Sequence, residues 1–81
     1  MAEETLAGRF GELVRSLRKE QGYSQEEFSF RVGLHQTYVS SIERGERNVT
    51  IQTADRIARA LDTTLAELFG ELELTSEDVG S

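Results

Sequence analysis

Apolar residues recur along the chain at the spacing of one helical face, and glycines separate them into segments. The first segment places its apolar side chains three or four positions apart, at Leu6, Phe10, Leu13, Val14 and Leu17. This spacing predicts a helix over residues 5–21, because such positions share one face of a helix. Gly22 follows and suits a left-handed helix end.

Two shorter helices are predicted in the middle of the chain. Ser24, followed three positions later by Glu27, has the pattern of a capping box and favours a helix over residues 25–32. A further helix is predicted over residues 36–44. Gly33, between the two, permits a sharp turn because it has no Cβ. The pair therefore has the form of a helix-turn-helix.

The last two predicted helices carry their own start signals. Thr50 is a cap for a fourth helix, whose apolar face comprises Ile51, Ala54, Ile57, Ala58 and Leu61. Thr64 and Glu67 repeat the capping-box pattern and open a short fifth helix, which is expected to end at Gly70. Residues 71–81 are interpreted as an acidic, partly flexible tail. Their "ELEL" run alternates like a strand, so an added strand is the alternative.

The net charge of −6 is unevenly distributed over the 81 residues. Residues 5–61 contain nine Lys and Arg against seven Asp and Glu, whereas residues 62–81 contain six acids and no base. The middle of the chain is therefore mildly basic. Because salt confines exposed charges to about 10 Å, a positive face can exist on an acidic molecule.

The composition argues against an enzyme. One histidine and no cysteine supply neither a metal cluster nor a nucleophile–base pair, so no metal or cofactor is expected. The adjacent Glu26 and Glu27 diverge on a helix and cannot form a carboxylate dyad. The N-terminus lacks a signal-peptide pattern, and no apolar run is long enough to span a membrane. We therefore expect a cytoplasmic protein that binds no membrane.

The third predicted helix exposes short polar side chains where a helix-turn-helix protein contacts DNA. In this motif the second helix of the pair enters the major groove, and the first crosses the backbone. The polar side chains are Gln36, Thr37, Ser40 and Ser41. Such groups can hydrogen-bond to base edges, and glutamine can pair with adenine through two bonds. The alternative is an ordinary solvated helix face.

Three runs of sequence resemble the Cro/phage-repressor (XRE) family of helix-turn-helix proteins. They are "YSQEEF" with the following "GL", "YVSSIERG" with the following "RN", and "IARALDTTLAELF". The resemblance covers residues 6–70 and implies an all-α, compact five-helix, lambda-repressor-like DNA-binding domain within residues 1–70. The segment "QTYVSSIERGERN" is also similar to the small controller proteins of restriction-modification systems.

This resemblance implies a role for each matching residue. Base contacts are expected from Gln36, Thr37, Ser40 and Ser41. Contacts to the DNA backbone are expected from Gln25, Tyr38, Arg44, Arg47 and Asn48. Arg18 and Glu43 match a partly buried ion pair that joins the first and third helices. The alternatives are that the arginines are ordinary surface charges and that Tyr38 packs on the scaffold.

The expected partners are double-stranded DNA and a second copy of the chain. Apolar residues near the C-terminus exceed what one small core needs, and a homodimer interface is expected at Leu65, Leu68, Phe69 and Leu72. Two subunits would bind an inverted-repeat operator and regulate transcription. RNA polymerase is a further candidate partner, through Glu26 and Glu27, whose alternative role is helix capping. The competing function is a protein-interaction module, like an antitoxin or a coactivator.

Overall fold

The computed structural model describes residues 5–75, which form five α-helices joined by short connections. The helices are α1 (Leu6–Glu20), α2 (Gln25–Val32), α3 (Gln36–Glu43), α4 (Ile51–Ala60) and α5 (Leu65–Thr75). No strand occurs within these residues. The prediction of a compact five-helix, all-α domain is confirmed.

Helix starts are fixed by side chains, as the sequence predicts. Ser24 Oγ accepts from the Glu27 backbone N–H at 3.0 Å, and Glu27 Oε1 accepts from the Ser24 N–H at 2.8 Å. The Thr64–Glu67 box has the same two bonds, at 3.0 and 3.3 Å. Thr50 Oγ1 caps α4 by accepting the N–H of its third residue. These contacts satisfy backbone donors that have no partner inside the helix.

The core lies among the five helices and includes the inner face of α3, which packs against α1 and α2. Its largest fully buried side chains are Val14, Phe28, Val39, Ile42, Ile57, Leu61 and Leu68. At Gly11, α1 comes so close to the end of α3 that a Cβ would lie 2.2 Å from the Ile42 carbonyl oxygen. The inner face of α3 is thus held against the rest of the molecule, and its other face is left outward.

The C-terminal helix is longer than the sequence predicts. The expected end at Gly70 is wrong, because α5 continues to Thr75, and so is the strand alternative for residues 71–74. Leu68 and Leu72 explain the continuation, since they lie one helical turn apart and are both buried. The acidic tail expected over residues 71–81 thus begins with helix, and residues 76–81 lie outside the described range.

Candidate nucleic-acid interface

The turn between α2 and α3 sets the position of α3. Gly33 ends α2 in the left-handed conformation, with φ 83°. His35 is the N-cap of α3, and its Nδ1 accepts from the Thr37 backbone N–H at 3.2 Å. The N-terminus of α3 therefore begins with the exposed side chains of Gln36 and Thr37. Polar groups at this end are well placed for an incoming ligand.

Four of the side chains singled out from the sequence share the outer face of α3 and its C-cap. Gln36, Thr37 and Arg44 are exposed, and Ser40 is half-buried. Gln36, Ser40 and Arg44 are spaced four apart, one helical turn each, so they form a row. Val39 and Ile42 point the opposite way, into the core. The residues that the sequence predicts as base readers are therefore accessible, with one exception.

Ser41 is the exception, because it is only 5% exposed. Its hydroxyl donates to the Tyr38 carbonyl at 2.8 Å and accepts from Arg47 Nε at 3.1 Å. The Arg47 guanidinium lies 5.3 Å from the centre of the Tyr38 ring. Burial of this hydroxyl argues against the expected base contact from Ser41. Its hydroxyl instead joins α3 to the loop that follows.

The residues expected to hold the DNA backbone lie around the row on α3. Gln25, at the start of α2, is half-buried and donates from Nε2 to Glu43 Oε1 at 3.2 Å. Arg47 and Asn48 are exposed on the loop after α3. Tyr38 is half-buried. Its ring packs against the core and also contacts the exposed Arg47.

Arg18 and Glu43 form a buried, two-bonded ion pair between α1 and α3. Arg18 Nε and Nη2 donate to the two carboxylate oxygens at 2.8 and 3.0 Å. Arg18 Nη1 also donates to the Tyr23 carbonyl at 2.8 Å. Losing one partner of such a pair typically costs about 3–5 kcal/mol, because the other charge stays buried and uncompensated. The pair fixes α3 and, through Gln25, the start of α2.

Two charged residues near this face were not singled out from the sequence. Arg15 is exposed and lines a cleft together with Gln25, Ser40 and Arg44. Its position three residues before Arg18 on α1 is the signal that could have identified it. Glu46 pairs with Arg44, with a distance of 3.0 Å between Arg44 Nε and Glu46 Oε2. The hydrogen bond from Arg44 lowers the pKa of the Glu46 carboxyl below its ordinary value.

A second feature, the apolar groove, is lined by side chains of α1, α4 and α5. We define it by Leu6, Ile51 and Phe69, which are 62%, 72% and 42% exposed. Exposed apolar residues that adjoin in this way often mark a protein contact. The sequence identified Phe69 but missed Leu6 and Ile51, which it assigned to the inner faces of their helices.

The other residues expected at a dimer interface are less accessible. Leu68 is completely buried and Leu72 is 8% exposed. Both belong to the core of a single chain, which argues against a partner contact through Leu68, whereas Leu72 also lines the apolar groove. Leu65 is half-buried and packs against the core. The groove residues are therefore the candidates for a contact between subunits.

Residues 5–75 contain no cluster of three or more side chains suited to bind a metal ion. Over the same residues, every helix is too short or too polar to cross a membrane. The polar row on α3 and the apolar groove are thus the two surface features to be explained.

Comparison with known families identifies the class of protein. The helix-turn-helix family HTH_3 matches residues 14–68, and this range contains all of α2, α3 and α4. The chain therefore belongs to this XRE-type family, and the resemblance noted in the sequence is confirmed. Its relatives are regulatory DNA-binding proteins, and the chain is not an enzyme.

The proteins similar to this chain include control proteins, among them a restriction-modification controller of known structure. The chain is 46% identical over 66 residues to the control protein C.MunI of a Mycoplasma species, covering 80% of this chain and 89% of that one. The controller protein C.AhdI from Aeromonas hydrophila, whose crystal structure is known, is 42% identical in sequence. The two structures have a TM-score of 0.73, and the match covers 76% of this chain and 94% of that one. The controller protein C.Esp1396I, whose structure is known as a tetramer in complex with its 35-base-pair operator, is 31% identical in sequence. The TM-score is 0.79, and the match covers 86% of this chain and 92% of that one.

Proposed function

We propose that this chain is a sequence-specific transcriptional regulator that places α3 in the major groove of DNA, and that it is the controller of a restriction-modification system. The observation that carries the proposal is the accessible polar row on α3, opposite the buried Val39 and Ile42. The operator complex of the similar C.Esp1396I supports the same role here. Such a regulator acts in the cytoplasm, on the nucleoid.

The proposed contacts to DNA are of two kinds, to base edges and to backbone phosphates. Gln36, Thr37 and Ser40 read base edges, and this reading supplies the choice of sequence. The backbone phosphates are held by Gln25, Tyr38, Arg44, Arg47 and Asn48, with Arg15 added from the structure. Phosphate contacts supply affinity that does not depend on sequence and that falls as salt rises. Because only the middle of the chain is basic, we expect strong binding to need two subunits.

The apolar groove is the proposed contact between two subunits. A symmetric pair would direct its two copies of α3 into successive major grooves, about 34 Å apart on one side of the duplex. The operator would then contain inverted half-sites separated by about 10 base pairs, centre to centre. Burial of Leu6, Ile51 and Phe69 against the same residues of a second copy would supply the driving force.

A titration with random duplex DNA at low salt tests the function. We expect binding that rising salt abolishes, because phosphate contacts dominate non-specific affinity. A pure protein-interaction module would bind none, and that result would remove the proposal. Selection of bound sequences from a random pool should then return an inverted repeat.

RNA polymerase is a third proposed partner, through the outer face of α2. Glu26 is exposed, and Phe30, one turn further along, is 87% exposed. Glu27 is occupied in the capping box, so Glu26 is the better candidate of the two acids. The double variant Glu26→Gln/Phe30→Ala should retain DNA affinity and lose activation in a purified transcription assay. Unchanged activation would exclude this surface.

A further inference from the structure

Arg44 makes three hydrogen bonds within its own chain. Its Nε and Nη2 donate to the two carboxylate oxygens of Glu46 at 3.0 and 3.1 Å, and its Nη1 donates to Ser40 Oγ. A carboxylate that receives two parallel bonds from a guanidinium uses the same geometry as a phosphate. Glu46 therefore occupies the position that a DNA phosphate would take on Arg44.

The backbone after α3 keeps Glu46 close to Arg44. The Gly45 N–H donates to the Ile42 carbonyl and the Glu46 N–H to the Ser41 carbonyl, both at 2.9 Å. These two bonds, with Gly45 at φ 77°, form a Schellman motif. This turn holds the backbone of Glu46 beside Arg44. The carboxylate therefore lies within reach of the guanidinium.

We propose that Glu46 is an internal competitor for the DNA phosphate held by Arg44, and that it lowers affinity for all DNA sequences alike. This inference rests on the proposed DNA-binding function. On association, a phosphate displaces the carboxylate from Arg44. Gln36 and Thr37, whose side chains have no part in the pair, continue to set sequence preference. Glu46 therefore adjusts how tightly the protein binds and leaves its choice of sequence unchanged.

The test compares unaltered protein with Glu46→Gln on random duplex and on the selected operator, over a range of salt. The amide keeps the size of the side chain and leaves the Schellman bonds intact. We expect about three- to tenfold tighter binding to both DNAs at low salt, given the small strength of exposed ion pairs and carboxylate–phosphate repulsion. The slope of log affinity against log salt should change little, because the phosphate contact of Arg44 forms in both proteins once the carboxylate has been displaced.

The matched control is Asp55→Asn, which removes the same charge from another exposed pair. Asp55 Oδ2 lies 2.9 Å from Arg59 Nε on α4, outside the proposed DNA face. We expect Asp55→Asn to raise DNA affinity less than Glu46→Gln does. The slope of log affinity against log salt should be unchanged. In an Arg44→Ala background, Glu46→Gln should give no more gain than this control.

The direction of the change in DNA affinity shows whether Glu46 competes with a phosphate for Arg44 or positions Arg44 for DNA. If Glu46→Gln binds the operator more weakly, Glu46 positions Arg44 for DNA and the inference is overturned. An equal gain from Asp55→Asn would reduce the effect to net charge and also overturn it. Both results leave the proposed function in place. Absence of any salt-sensitive binding by the unaltered protein would overturn the proposed function itself, and this inference with it.

Discussion

At the scale of single residues, neighbouring positions on α3 have different tasks because of the direction in which each side chain points. Ser40 lies on the accessible row, whereas Ser41 is buried beneath Arg47. The two serines are chemically identical, but they point in different directions on the helix, so that Ser41 faces Arg47 and Ser40 faces Arg44. A sequence pattern therefore does not distinguish the accessible serine from the buried one.

Gln36→Ala and Arg47→Ala should have different effects on DNA binding. Loss of a base contact at Gln36 should cost about 1–3 kcal/mol on the preferred operator and relax sequence selectivity. Loss of a phosphate contact at Arg47 should weaken binding to every sequence and flatten the salt dependence. Affinity measurements on operator and random duplex at several salt concentrations separate the two. Equal losses for both variants on all DNAs would contradict the assigned roles.

At the scale of helices, local signals were predictable and packing was not. The caps at Ser24, Thr50 and Thr64 depend on residues three positions apart, so the sequence contains the whole interaction. The continuation of α5 past Gly70 depends on Leu72 packing onto the core. Contacts of that kind are set by tertiary structure, which sequence spacing does not encode.

Gly11→Ala tests the contact between α1 and α3. A Cβ there would lie 2.2 Å from the Ile42 carbonyl oxygen and 2.9 Å from that of Glu43. Backbone atoms cannot rotate away, so the helices must separate, and overpacking of this kind costs about 1–3 kcal/mol. Urea unfolding at one protein concentration measures the loss.

Gly70→Ala is the matched control for that experiment. It also lies within a helix, but nothing lies within 4 Å of its added Cβ. It should stabilise the protein by about 0.5–1 kcal/mol, through helix propensity alone. Destabilisation at both glycines would show that the close approach at Gly11 is not the cause.

At the scale of the whole molecule, the apolar groove should control the oligomeric state. Ile51→Asp places a charge on its most exposed residue, and an acid suits that site because Ile51 is the first residue of α4. We expect sedimentation to report the 9.1 kDa chain, against about twice that mass for the unaltered protein. Phe30→Asp, at an exposed site on α2 outside the groove, should remain dimeric. Dissociation by both variants would count against the groove.

Stability of the whole domain should fall in acid. The pKa of Glu27 is lowered chiefly by the hydrogen bond from the Ser24 backbone, and that of Glu67 by the hydrogen bond from Thr63, both from an ordinary value of 4.5. The unfolded chain therefore takes up protons first as pH falls through that value. The stabilisation is present above about pH 4.5 and is lost below it.

Urea midpoints at pH 7, 4.5 and 3 measure this effect. The double variant Glu27→Gln/Glu67→Gln should show a shallower decline, because its capping groups no longer titrate. An equally steep decline in the double variant would assign the acid sensitivity to other carboxylates.

The close approach at Gly11 has a consequence for the thermodynamics of recognition. Because α3 rests directly on the bare backbone of α1, and the Arg18–Glu43 bonds anchor it there, its geometry is set before any encounter with a duplex. Little conformational entropy would then be lost in ordering α3 on binding. More of the interaction energy of the proposed complex would therefore remain for discriminating between duplexes. In the proposed complex, a mismatched base pair would meet a helix that is already held in place by α1.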